Sequence, residues 1–91
     1  IWGNPHYMFG PGNIPAVARN VRDGLKRVDV GNSSTYDANY EALVARINQS
    51  LPRWKAKLAP AKGKLVVTYH RSFVYFLSEF GLREAANVEP R

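Results

Sequence analysis

The chain has no cysteine. Disulfides, thiolate metal sites and a cysteine nucleophile are therefore excluded, while the absence itself fits any compartment. It has no apolar run of 18 residues, so no segment reads as a membrane-spanning helix. It holds only two histidines, His6 and His70, and seven acidic residues against 13 basic ones. No RNP, KH, zinc-finger or helix-turn-helix signature accompanies the net charge of +6, so that charge reads as a solvated surface rather than a nucleic-acid footprint. The chain opens on "IWGNP" without Met or a basic-then-apolar leader. The expectation is a processed chain or an interior piece of a longer one.

What is present reads as one small α/β unit. With 91 residues, 45% hydrophobic and 22% charged, the composition is globular. Residues 1–13 form a Gly/Pro/Asn-rich loop whose Trp2, Tyr7, Met8 and Phe9 are too apolar to stay exposed, so the loop is expected to pack. Residues 14–28 form a helix. Ile14, Val17, Ala18, Val21, Leu25 and Val28 share one face, Asn13 is expected to cap it, and Pro15 suits its first turn. "DVGN" at 29–32 ends it.

A second helix is expected over 34–59, capped by Ser33 or Ser34. Tyr36, Tyr40, Leu43, Val44, Ile47, Leu51, Trp54 and Leu58 hold one phase along it. Pro52 predicts a kink or break between Asn48 and Pro52. A helix of that length is about 38 Å long, which suits a strut between two bodies. After a turn at 59–64, "LVVTY" at 65–69 reads as a strand buried on both faces. Residues 71–80 read as a helix stopped by Gly81, and 82–90 as the start of a second strand. One β-α-β unit leaves edges and a face uncovered, so the apolar face at 65–69 is expected to favour self-association.

His70 follows the carboxyl end of a strand, where α/β sheets bind ligands. A neutral imidazole there is either a ligand for a first-row divalent ion or a polar residue bonded to a nearby carbonyl. His6, in an aromatic loop, admits the same two readings. The pair stand 64 positions apart, so no local motif joins them. Asp37, Glu41, Glu79, Glu84 and Glu89 are the acidic candidates to complete a site, and most read as solvated positions. Enzyme chemistry is not expected. No nucleophile elbow surrounds Ser72, no carboxylate pair stands on opposed elements, and "GPGNIP" lacks the lysine of a phosphate loop. The basic stretch Arg53, Lys55, Lys57, Lys62 and Lys64 reads as a solvated helix end. The alternative is a small basic helical domain that binds nucleic acid or a protein partner, whose binding would fall steeply with salt.

The order of segments adds a resemblance. "NPHYMFGPGNIPAVARNVRDGLKRVD", "NSSTYDANYEALVARINQSLPRWKAKL", "GKLVVTYHRSFVYFLSEFGL" and "NVEP" together resemble the zinc/manganese class of ABC-transporter solute-binding proteins. The first histidine stands in a pattern similar to (D/N)-P-H-x-W-L-D-P, and the second in strand, T-Y-H, then an aromatic helix ending in F-G-L. The resemblance implies a middle fragment of a two-lobed α/β protein bridged by a long helix. Residues 1–32 would end the first lobe, 33–60 would be the linking helix, and 61–91 would begin the second lobe. It implies that His6 and His70 are two of about four metal ligands, the others lying outside this chain. It implies capture of zinc, or manganese, in the periplasm or, as a lipoprotein, on the outer face of the cytoplasmic membrane, for delivery to an ABC permease. Met8, Phe9 and Gly10 depart from the family's Trp-Leu-Asp. Histidine at 70, where some manganese-type members carry Glu, leans toward zinc. A symmetric dimer would supply four imidazoles to one ion.

Overall fold

The computed structural model describes residues 3–90, and Trp2 lies outside them. Helix α1 spans Ile14–Val28, with Pro15 in the first turn, where a missing N–H forfeits no helical bond. The helix stops where Asp29 turns to φ −141, ψ 68, its N–H still bonded to the Leu25 carbonyl at 2.8 Å. Asn13 holds the expected cap position but makes no side-chain cap bond. Its backbone is already helical, and its amide donates instead to the Tyr7 carbonyl at 3.1 Å.

Helix α2 spans Ser33–Leu58. Neither serine caps it. Ser33 lies inside the helical backbone, and its hydroxyl donates back to the Val30 carbonyl at 2.8 Å. Asn32 holds the cap position, but its amide donates to Asp29 Oδ2 at 2.9 Å. The helix runs unbroken through Pro52, contrary to the expected break. Proline deletes a single bond there, the one to the carbonyl four residues back, and Asn48 is exposed, so water can take that carbonyl. Among the described residues no helix is long and apolar enough to cross a membrane.

Helices α1 and α2 face one another across an apolar groove of about 550 Å³. Ile14, Val17 and Leu25 line one side, and Tyr40 and Leu43 the other. The pair is clasped at its rim. Lys26 Nζ meets Asp37 at 3.0 Å, the Arg22 guanidinium lies 4.3 Å over the Tyr40 ring, and the Tyr36 hydroxyl donates to Asp29 at 2.6 Å. Asp29 is held below the usual carboxylate range by the hydrogen bonds from Asn32 and Tyr36. The Tyr36 phenol is correspondingly raised, first by that bond to Asp29.

The second half is a β-α-β unit. Strand β1 (Leu65–Thr68) and strand β2 (Arg83–Asn87) pair in parallel around helix α3 (Val74–Phe80). Leu65 pairs with Arg83 and Thr68 with Asn87, with one irregularity after Val66. β1 is not buried on both faces as its composition suggested. Leu65 and Val67 are each 63% exposed while Val66 and Thr68 are half-buried, because a two-stranded sheet covers only one side of the strand. Gly81 stops α3 in the left-handed region at φ 72, as expected. The Leu82 N–H then reaches the Leu77 carbonyl at 2.9 Å, the long closing bond of a Schellman turn.

Among the described residues, Ile47 of α2 and Leu77 and Phe80 of α3 form the buried hydrophobic core. The amino-terminal loop joins them through Gly10 and Pro11, both buried. Pro11 sits with Trp54, Leu58, Phe76 and Phe80 around a common apolar hollow. The loop therefore packs by its backbone turn. The aromatic residues expected to bury stay near half-exposed, with Tyr7 at 48% and Phe9 at 49%.

Candidate metal centre

Anchoring of this loop decides where His6 lies. The Tyr75 hydroxyl, on α3, donates to the Asn4 carbonyl at 2.7 Å. The Asn4 side-chain amide donates to the Arg71 carbonyl at 2.7 Å. The Phe9 and Phe73 rings meet at 5.8 Å. These three contacts lay residues 4–9 across the segment between β1 and α3. His70 stands in that segment, two residues past the end of β1.

The two histidines thereby become neighbours. Their ring centroids are 5.0 Å apart, with the planes at 84°. Two imidazoles that share one tetrahedral ion at a Zn–N distance of ~2.1 Å place their centroids ~5 Å apart, so the spacing admits a common ion. Each ring has its Nδ1 engaged. His6 Nδ1 lies 2.8 Å from Asn4 Oδ1, and His70 Nδ1 lies 2.7 Å from Glu89 Oε2. The site is open, the His70 side chain being 50% exposed.

The carboxylates divide clearly. Asp37 is spent on Lys26, and Glu84 accepts from the Thr68 hydroxyl and faces Arg71 at 4.0 Å. The Glu79 carboxylate crowds Gly12, where an added Cβ would meet Oε1 at 2.7 Å. Only Glu89 of the five acidic candidates has a hydrogen bond to a histidine. Residue type and sequence position alone do not single Glu89 out from the others. The missing signal was the strand register. Thr68 pairs with Asn87, and two more residues along each strand reach His70 and Glu89. Among the described residues no group of three His, Cys, Asp or Glu forms a metal-holding cluster. The chain's own contribution is two imidazoles, with Glu89 behind one of them.

Comparison with known proteins agrees with this arrangement in fold. The model of the family described as "Zinc-uptake complex component A periplasmic" matches residues 3–91. The zinc-binding protein AdcA of Streptococcus pyogenes is 27% identical over 81 residues, 89% of this chain and 16% of that protein. The high-affinity zinc uptake system protein ZnuA of Brucella abortus is 24% identical over 83 residues, 91% of this chain and 25% of that protein. Among solved structures, AdcAII of Streptococcus pneumoniae superposes with a TM-score of 0.83 at 27% identity, over 96% of this chain and 35% of that one. A zinc-bound deletion mutant of ZnuA gives a TM-score of 0.87 at 20% identity, over 100% of this chain and 36% of that one, a likeness of fold alone. The chain thus spans about a third or less of the proteins it matches.

Proposed function

The chain belongs to the family of periplasmic zinc-uptake components, and from that premise we propose that His6 and His70 are two ligands of one transported zinc ion. The protein captures zinc outside the cytoplasmic membrane and hands it to an ABC permease. Residues 1–32 belong to one lobe, 61–91 to the other, and α2 links them across the cleft that holds the ion.

One observation carries this reading: two imidazoles 64 positions apart meet at 5.0 Å, each with Nδ1 engaged. The proton on Nδ1 leaves the Nε2 lone pair for an ion. Imidazole nitrogen favours zinc over manganese, which prefers carboxylate and water oxygen. The remaining positions of a tetrahedral zinc go to water or to groups outside this chain.

Zinc titration against a chromophoric chelator tests it, on this chain and on the His6→Ala and His70→Ala variants. Saturable zinc binding that weakens at least ~10-fold in either variant is the expected result, since each variant removes one of two donors. Manganese is expected to compete poorly. Equal zinc affinity in the chain and in both variants would refute the assignment.

A further inference from the structure

We infer that Asn4 and Glu89 are positioning residues for the metal site: they fix the proton of each histidine on Nδ1 and aim both Nε2 atoms at the ion. The inference rests on the zinc reading of His6 and His70, and deepens it.

The argument for Asn4 is one of donors and acceptors. A side-chain amide can present either end, but here two backbone groups of fixed polarity decide. The His6 N–H can only donate, and it lies 2.9 Å from Asn4 Oδ1. The Arg71 carbonyl can only accept, and it lies 2.7 Å from Asn4 Nδ2. The amide is therefore oriented, and the atom facing His6 Nδ1 at 2.8 Å is an acceptor. Nδ1 must carry the proton. An unpartnered neutral imidazole favours the proton on Nε2, which would block the nitrogen a metal needs. Asn4 reverses that preference.

Glu89 does the same for His70. A carboxylate only accepts, so His70 Nδ1 donates to Glu89 Oε2 at 2.7 Å. The backbone that carries Glu89 is tied to the sheet end. The Val88 N–H donates to the Thr68 carbonyl at 3.0 Å, the Asn87 amide to the Thr68 hydroxyl at 3.1 Å, and the Glu89 N–H to Asn87 Oδ1 at 3.2 Å. Histidine ligands characteristically donate their second ring N–H to such a partner.

Asn4 has a second role that Glu89 lacks. It stands two residues before His6 and binds the residue directly after His70. Its own carbonyl takes the Tyr75 hydroxyl. One side chain thus sets the tautomer of one ligand and ties that ligand's loop to the backbone of the other.

The test uses this chain with Asn4→Ala, Asn4→Asp, Glu89→Ala and Glu89→Gln, each checked by circular dichroism for retained fold. Long-range ¹H–¹⁵N spectra of the imidazoles, without metal and at mildly alkaline pH, read the proton position. The wild type is expected to show both rings protonated on Nδ1. Asn4→Ala should move the His6 proton toward Nε2 and leave His70 unchanged, and Glu89→Ala should do the converse. Asn4→Asp and Glu89→Gln keep an acceptor and should keep the tautomer. Zinc affinity should fall ~10–100-fold in each alanine variant. Unchanged tautomers in both alanine variants would overturn the inference, and so would shifted tautomers with zinc affinity intact. Failure of the zinc reading shows separately, as zinc affinity indifferent to His6→Ala and His70→Ala.

Discussion

The same chemical change, glycine to alanine, should act with opposite sign at two positions of this chain. Gly24 lies inside α1, and a Cβ built on it meets nothing nearer than Arg27 Nη2 at 3.6 Å, an ordinary contact. Alanine there gains helix propensity, about 0.8–1 kcal/mol. Gly81 ends α3 at φ 72. A Cβ at that backbone geometry costs about 1–2 kcal/mol in an L-residue. It would also sit 2.9 Å from Lys62 Cγ, close enough that the lysine must shift. The Gly81 carbonyl accepts the Gly63 N–H at 2.7 Å, so any relaxation of the turn also disturbs the entry to β1. Relative to the parent, Gly24→Ala is expected to raise the urea midpoint and Gly81→Ala to lower it, the two differing by roughly 2–3 kcal/mol. In thermal melts each kcal/mol is worth about 4–8 °C for a chain of this size. Shifts of the same sign would refute the reasoning, because they would mean that backbone conformation does not control the effect.

Two further outcomes follow from the helices. Pro52→Ala restores a donor in mid-α2 and should stabilise the chain by about 2 kcal/mol, from ~3 kcal/mol of helix preference less the rigidity proline lends the unfolded chain; an unchanged urea midpoint would contradict this. The Asp29 carboxylate is depressed by Asn32 and Tyr36, so its contribution is present above the usual carboxylate range and is lost as pH falls through the lowered value. The raised Tyr36 phenol acts at the other end, contributing below its ordinary range and losing that as pH climbs through the raised value. Tyr36→Phe should therefore be less stable than the parent near neutral pH and converge with it in strong acid; melting curves offset equally at all pH values would contradict it.

Much of the fold was legible because it is written in local periodicity. The apolar face from Ile14 to Val28, the phase kept from Tyr36 to Leu58, and Gly81 after a run of aromatics each specify an element by spacing alone. The caps were not legible. Asn13 and Asn32 have the right chemistry but spend it on Tyr7 and Asp29, partners chosen by the turn. β1 misled for a different reason: a continuous apolar run marks a strand that could be covered twice, while the number of covering layers is a tertiary matter. The break expected at Pro52 does not occur, because one lost bond at an exposed turn is tolerated within a continuous helix. At the site, the residue types of His6 and His70 stood out by rarity, and the resemblance paired them. Their 5.0 Å approach depends on the Asn4 and Tyr75 tethers, which no spacing rule reveals. Glu89 stayed hidden until the parallel register was known.

Zinc-edge X-ray absorption on this chain, loaded with less than one equivalent of zinc, tests the central claim most directly. Two imidazole nitrogens at about 2.0–2.1 Å, falling to one in His6→Ala and to one in His70→Ala, is the result the account predicts. An ion whose surroundings are the same in the parent chain and in both variants would contradict it.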